Sequence, residues 1–170
     1  AGFRLDVADE LPDDFIEKIR AAVKRVSPEK FLLGEVWEDA TTKYGFGQRR
    51  TYLLGKGLDS VMNYPFKNAV LDFVKGKPAE QAMGEILSIC EHYPAPAMDT
   101  ALNFLSTHDT ERALTVIADE PANGRGREWQ SGRCVTGEAY EEGMLRLRMA
   151  YAIIYPLPGV PCLYYGDEIG

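Results

Sequence analysis

Residues 3–26 read FRLDVADELPDDFIEKIRAAVKRV, and this stretch decides the fold. Its first five residues alternate apolar and polar side chains, the period of two that is typical of a β-strand. From Leu11 onward, apolar residues recur at spacings of three and four until Pro28, which is the pattern of an amphipathic helix. The stretch therefore predicts a strand followed directly by a helix, the repeating unit of parallel α/β proteins.

The same alternation continues along the rest of the chain. Further strands are predicted at 31–36, 59–64, 102–105 and 160–165, and further helices at 66–74, 80–93, from 111 and at 138–155. The stretch 123–136 has several glycines and arginines without periodicity, so it is predicted to be a loop. Five strands that alternate with helices indicate parallel βαβ units.

The length of the chain indicates the number of domains, and its net charge indicates which classes of partner are expected. The chain has 170 residues, 45% of them hydrophobic, which suffices for one core, so residues 1–170 are predicted to form one domain. The formal net charge of -7 gives an acidic surface that repels polyanions. A neutral substrate is therefore expected, and nucleic acid is not.

Neither a metal nor a cofactor is expected. Cys90, Cys134 and Cys162 are widely spaced and form no ligand pattern, and no glycine-rich phosphate loop is present. No apolar run approaches the roughly 20 residues of a membrane span, so no membrane partner is expected. The first residues also lack the pattern of a signal peptide. The sequence leaves the cellular location undetermined, with the cytoplasm favoured.

Charged residues follow the predicted strands where each one ends. Asp6 ends the first strand on the same face as Arg4, Glu35 ends the second, and His108 and Asp109 follow the fourth. In a parallel barrel these ends meet at the rim that carries the catalytic residues. Each group alone also has a purely structural interpretation. Arg4 and Asp6 could form an ion pair that only neutralises its own charges, Glu35 could be a solvated glutamate at the rim, and His108–Asp109 could form a turn or cap the following helix.

Two carboxylates on neighbouring strand ends fit glycoside chemistry. Retaining glycosidases need two carboxyl groups roughly 5 to 5.5 Å apart, a nucleophile and an acid/base. Trp37 and Tyr64, close to the predicted strand ends, are candidates for stacking on a sugar ring, although such aromatics are more often core residues. Ser106 near His108 raises a serine-hydrolase interpretation, but no G-x-S-x-G motif is present.

Four segments together resemble the α-amylase family, glycoside hydrolase family 13. They are Gly2-Phe3-Arg4-Leu5-Asp6, Gly34-Glu35-Val36-Trp37, Phe104-Leu105-Ser106-Thr107-His108-Asp109, and Gly159-Val160-Pro161 leading to Tyr164-Tyr165-Gly166-Asp167-Glu168. The resemblance covers essentially the whole chain. It implies a retaining hydrolase of α-1,4 and sometimes α-1,6 glucosidic bonds in starch-derived oligosaccharides, cyclodextrins or pullulan.

The resemblance also implies a role for each site residue. Asp6 would be the nucleophile, Glu35 the acid/base and Asp109 the acid that stabilises the transition state. Arg4 would keep Asp6 ionised and oriented, and His108 would bind a sugar hydroxyl at the cleavage point.

Within the family, the sequence looks most like the neopullulanase and cyclomaltodextrinase branch. The segments that carry this likeness are Asp59-Ser60-Val61-Met62-Asn63-Tyr64-Pro65-Phe66, Gly34-Glu35-Val36-Trp37-Glu38-Asp39-Ala40 and Val7-Ala8-Asp9-Glu10. Two departures concern the leaving-group side: Glu38 replaces a common histidine, and Asp9 replaces a frequent asparagine. The preferred glucan is therefore left open.

The recognisable motifs begin at the fourth strand of the family barrel. The chain is accordingly expected to be a partial (β/α)8 TIM barrel, strands four to eight with their helices, from the C-terminal part of the catalytic domain. A whole barrel takes about 250 residues. The 170 residues alone are expected to be inactive and to self-associate through open sheet edges. Two alternatives remain: a glucosyltransferase or isomerase using the same residues, and a non-catalytic amylase-like interaction domain.

Overall fold

A computed structural model of the chain describes residues 1–118 and 124–169. The described residues form seven strands, with every strand short. They are β1 (Phe3–Leu5), β2 (Leu32–Gly34), β3 (Tyr44–Gly45), β4 (Gln48–Arg49), β5 (Ser60–Val61), β6 (Leu102–Asn103) and β7 (Val160–Pro161).

Five of these strands lie side by side, all parallel and in chain order. β1 pairs with β2, and β2 pairs with β5. A single bridge from Met62 to Leu102 then joins β5 to β6, which pairs with β7. The predicted parallel α/β arrangement is therefore confirmed.

Seven α-helices occur in the described part of the chain, and a 3₁₀ turn at Ala8–Glu10 follows β1. The helices are α1 (Asp13–Val26), α2 (Tyr64–Val74), α3 (Ala79–His92), α4 (Ala95–Met98), α5 (Ala113–Ala118), α6 (Arg127–Ser131) and α7 (Gly137–Ile154). α2 is central, because it packs against α3, α5 and α7. Its N-terminus is capped by the Asn63 side chain, which accepts a hydrogen bond from the Phe66 N–H.

The core lies between the strands and these helices. Phe66 of α2, Leu105 after β6, and Leu147 and Ile154 of α7 are all fully buried. α1 buries Ile16 and packs the partly buried Ile19 and Val23 against the same core, so this part of its predicted apolar face lies inward. This packing fixes the strand ends, from which the charged side chains project.

Two regions differ from the sequence-based expectation. The sequence predicts no strand or helix between β2 and β5, yet β3 and β4 form an antiparallel hairpin there. The loop predicted at 123–136 contains α6, so that prediction was wrong over Arg127–Ser131. Asn123 lies outside the described residues. Both elements are too short to leave a hydrophobic period in the sequence.

Asp59 ties α1 to the sheet at the N-terminal ends of the strands, opposite the end that carries Asp6 and Glu35. Its carboxylate accepts hydrogen bonds from Arg20 at 2.7 Å, from Lys24 at 2.8 Å and from the Leu32 N–H at 2.8 Å. Burial by itself would raise the pKa of Asp59, but the hydrogen bonds from Lys24 and Arg20 outweigh it and hold the pKa below its ordinary value of 3.8.

We expect Asp59→Asn to lower the free energy of unfolding by about 2–4 kcal/mol at pH 7, because it leaves two partly buried cations without their anion. A lowered folded-state pKa means that this contribution is present above the unfolded pKa and is lost as the pH falls through the folded one. The difference in the free energy of unfolding between wild type and variant, measured by urea unfolding, should therefore be smaller at pH 3 than at pH 7. Asp14→Asn, which removes only an exposed pair with Lys18, is the control, with an effect below ~1 kcal/mol. A difference of equal size at both pH values would contradict the stabilising role of the ionised Asp59.

Candidate active site

The charged residues singled out from the sequence lie where the parallel strands end. Asp6 follows β1 and Glu35 follows β2, and these two strands pair directly in register, with Leu5 opposite Gly34. His108 and Asp109 follow β6 by a few residues. Since carboxyl ends of parallel strands share one edge, all four side chains belong to the same rim.

Arg4 connects the first two carboxylates. Its Nη1 donates a short hydrogen bond to Oδ1 of Asp6, and its Nη2 lies 3.0 Å from Oε2 of Glu35, an ion pair whose geometry is not that of a hydrogen bond. Asp6 is 73% exposed whereas Glu35 is 3% exposed. One guanidinium therefore holds an accessible carboxylate and a buried one beside each other.

Glu35 is fixed by more than this ion pair. The Val7 N–H donates to its Oε2 at 2.7 Å, and the Trp37 indole N–H donates to its Oε1 at 3.1 Å. A side chain at Gly34, directly before it, would force the buried Leu58 side chain to move, because a Cβ there would lie 2.2 Å from Leu58 Cδ1. The carboxylate is thus held at both oxygens, at Oε2 by the β1 segment and at Oε1 by Trp37 of its own segment.

Aromatic rings form the wall behind Glu35. Trp37 stacks on Tyr64 with ring centroids 4.4 Å apart, and Tyr64 meets Phe104 edge to face at 4.9 Å. Trp37 is 41% exposed, but Tyr64 is buried beneath it. Trp37 therefore offers a ring face toward solvent, while Tyr64 supports that ring, and a direct contact between Tyr64 and a sugar stays a prediction.

The pKa of Tyr64 is influenced by the same group of charged side chains. Burial, reinforced by the negative charge of Glu35, raises the pKa of Tyr64 to about 12. Arg4 and Asp109 also act on this hydroxyl electrostatically, with opposite signs. Tyr64 is therefore a neutral group at physiological pH, within reach of the charges of Glu35, Arg4 and Asp109.

His108 and Asp109 form a pair on the third strand end. His108 Nε2 lies 2.9 Å from Asp109 Oδ2, and both side chains are well exposed. The loop is ordered locally, because the Asp109 N–H donates to Oγ1 of Thr107, and the Thr107 N–H donates to Oγ1 of Thr110. Polar groups that remain accessible on an ordered loop suit the recognition of hydroxyl groups.

Two basic residues near the site were missed by sequence reasoning. Lys43 lies 3.0 Å from Asp9 and 2.5 Å from Glu38, the two positions where the sequence departs from its nearest branch. Burial alone would lower the pKa of Lys43, but its hydrogen bonds with Glu38 and Asp9 raise it. Arg50 is the second, and its buried side chain reaches Asp13 at 2.9 Å. No motif signalled either residue, since both lie on the unpredicted hairpin segment.

A groove leads away from the rim beside Trp37. It has a volume of about 790 Å³, lies between α2 and α3, and is lined by polar side chains together with Trp37 and Glu38 at one end. Those polar side chains include Asn68, Gln81 and Ser88. Its volume is within the range of small-ligand pockets, roughly 300–1,000 Å³.

Within residues 1–118 and 124–169, no group of three or more His, Cys, Asp or Glu side chains is arranged to hold a metal ion. No helix of that same part of the chain is long and apolar enough to cross a membrane.

The sequence of the chain is similar to that of known proteins over nearly its whole length. The family profile described as alpha amylase, catalytic domain, matches residues 1–170. An amylopullulanase from Thermoanaerobacter thermohydrosulfuricus is 36% identical over 185 residues, covering 99% of this chain and 11% of that protein. A cyclomaltodextrinase from a Bacillus species is 34% identical over 174 residues, covering 99% of this chain and 25% of that protein.

A solved structure is also similar over nearly the whole chain. The cyclic α-maltosyl-(1→6)-maltose hydrolase from Arthrobacter globiformis, in complex with cyclic α-maltosyl-(1→6)-maltose, has a TM-score of 0.76 and 26% identity. The match covers 99% of this chain and 31% of that one. The chain thus spans a quarter or less of the two curated relatives and about a third of this structure.

Proposed function

This chain belongs to the alpha-amylase catalytic-domain family, and we propose that it supplies strands four to eight of a (β/α)8 barrel that hydrolyses α-glucosidic bonds with retention of configuration. The family and its structural neighbours have the TIM-barrel fold, of which the described residues form a part. The observation that carries the proposal is the shared guanidinium of Arg4, which holds Asp6 and Glu35 side by side at adjacent strand ends.

The first step forms a glucosyl-enzyme. A carboxylate oxygen of Asp6 attacks the anomeric carbon, the bond from that carbon to the leaving oxygen breaks, and Glu35 gives its proton to that oxygen. The exposure of Asp6 gives it access to a substrate, and its contact with Arg4 orients it for attack. The burial of Glu35 keeps bulk water away from the group that donates the proton.

The second step releases the sugar. Glu35, now ionised, takes a proton from water while the water oxygen attacks the anomeric carbon, and the ester bond to Asp6 breaks. Both carboxyl groups return to their starting states. Two inversions at one carbon give a product of the original α configuration.

Asp109 and His108 act on the sugar rather than on the transferred proton. The charge of Asp109 stabilises the positively charged transition state, and His108 binds a hydroxyl of the same sugar by a hydrogen bond. Their 2.9 Å contact keeps the histidine oriented.

The proposed substrate is a neutral α-glucan such as a cyclodextrin, a maltooligosaccharide or pullulan. Three features support it: the relatives named above, the acidic surface of the chain, and the exposed face of Trp37, on which a glucosyl ring can stack. The polar groove beyond Trp37 gives further glucosyl units a path on the leaving-group side.

The test is product analysis with the complete barrel protein. Incubated with β-cyclodextrin, pullulan and soluble starch, it should release reducing sugars whose first anomer, seen by ¹H NMR before mutarotation, is α. A first product in the β form would overturn the retaining mechanism. Products longer than the substrate would instead support the glucosyltransferase alternative, and no turnover of any of the three would support the non-catalytic one.

A further inference from the structure

The loop that follows Asp6 has a strained backbone at Val7, directly beside the proposed nucleophile. Val7 has φ 43° and ψ 42°, the left-handed region that a β-branched residue rarely adopts. In this conformation its N–H donates to Oε2 of Glu35 at 2.7 Å. The residue next to the proposed nucleophile thus holds the proposed acid/base, and something must keep the backbone in this unfavourable shape.

Arg50 makes the contacts that hold this loop. It is 2% exposed, its Nη1 donates to the Asp9 carbonyl at 2.9 Å, and its Nη2 donates a short hydrogen bond to the Leu11 carbonyl. Its Nε donates to Oδ1 of Asp13 at 2.9 Å. Three donors of one planar group therefore bind three residues of a single turn, a geometry that lysine cannot reproduce.

Arg50 is itself held rigidly. Its guanidinium carbon lies 4.3 Å from the ring centroid of Tyr52 and 5.2 Å from that of Phe46. Its own N–H donates to the Lys43 carbonyl at 2.9 Å. The segment that carries β3 and β4 thus presents a fixed fork to the loop after β1, although the two are far apart in sequence.

We propose that Arg50 is a positioning residue for acid catalysis: by clamping residues 9–13 it maintains the left-handed Val7, whose N–H orients the Glu35 carboxyl toward the leaving oxygen. Arg50 does not touch the substrate. The proposal rests on the proposed function, in which Glu35 is the acid/base.

A purely structural Arg50 would predict something different. If it only fills its site and satisfies its own charge, its loss would destabilise the protein and lower turnover of every substrate alike. If it positions the acid, the loss should depend on how much the leaving group needs a proton. A glucosidic oxygen needs one, whereas fluoride leaves as an anion without it.

The experiment compares maltotriose with α-maltosyl fluoride in the complete barrel protein carrying Arg50→Lys. We expect kcat/KM for maltotriose, which reports on formation of the glucosyl-enzyme, to fall about 10- to 100-fold, the scale of a misplacement near 1 Å, while kcat/KM for the fluoride changes less than about threefold. KM for maltotriose should stay near its wild-type value. Asp13→Asn, which weakens one anchor of Arg50 and leaves the arginine in place, should give the same substrate dependence with a smaller loss and keeps the test available if Arg50→Lys does not fold.

Two further variants separate the inference from the proposed function. Arg49→Ala changes the neighbouring exposed arginine, which donates only to the Thr41 carbonyl, and should leave both rates unchanged. Glu35→Gln should lower kcat/KM for maltotriose far more than kcat/KM for the fluoride, because fluoride needs no proton to leave. If Glu35→Gln shows this difference but Arg50→Lys and Asp13→Asn lose both substrates equally or neither, the inference on Arg50 is overturned and the proposed function stands. If Glu35→Gln loses both equally, the acid/base role of Glu35 is overturned as well.

Discussion

Asp6→Asn in the complete barrel protein is expected to lower kcat for α-glucan hydrolysis by roughly 10⁴-fold or more, the scale seen when an enzyme loses its nucleophile. An amide oxygen is too weak a nucleophile to form the glucosyl-enzyme at a useful rate. Folding should be unaffected, because Asp6 is 73% exposed and an asparagine oxygen still accepts from Arg4. Reducing-sugar release and thermal unfolding, measured on the same preparation, check both halves of this expectation.

Asp14→Asn is the matched control for this variant. Asp14 is an equally exposed aspartate on α1, paired only with Lys18, and its change should leave kcat within about twofold of wild type. If Asp6→Asn retains near-normal turnover, Asp6 is not the nucleophile. If it loses turnover together with its cooperative unfolding transition, the loss reports on folding, and the role of Asp6 then has to be tested by trapping the glucosyl-enzyme with a slow fluoride substrate.

The second large effect concerns the 170 residues on their own, which we expect to be inactive and to associate. The row of parallel strands ends at β1 on one side and β7 on the other, and apolar side chains near both ends are exposed. Phe3 is 60% exposed, Val7 46%, Val160 47% and Leu163 44%. Open edges with apolar faces pair with other chains. Static light scattering should therefore give a mass of at least twice 19.0 kDa.

Charge placed on an edge should reverse this association. Val160→Lys puts a charge on the exposed strand β7 and should shift the measured mass toward the monomer. Val26→Lys is the control and should change nothing, because Val26 is 77% exposed but lies at the end of the helix α1, not on an edge strand. A monomeric wild-type chain at micromolar concentration, or an equal effect of both substitutions, would contradict association through the edges.

The sequence by itself determined the class of fold and singled out the candidate site residues. Periods of two and of three to four are local properties, so the opening strand and α1 could be predicted from neighbouring residues alone. Strand order followed, because βαβ units place successive strands side by side. The family motifs then put Asp6, Glu35 and Asp109 at strand ends, and the structure places them there.

Only the tertiary structure decided which groups those residues meet. Lys43 pairs with Asp9 across 34 residues, and Arg50 pairs with Asp13 across 37. The choice of partner for a buried charge depends on which loops the packed core brings together, and no local pattern encodes it. The left-handed Val7 has the same origin, since its strain is tolerated only where distant contacts hold the turn. Periodicity and motifs thus fix the position of each candidate side chain along the chain, whereas long-range packing fixes its orientation and its partners.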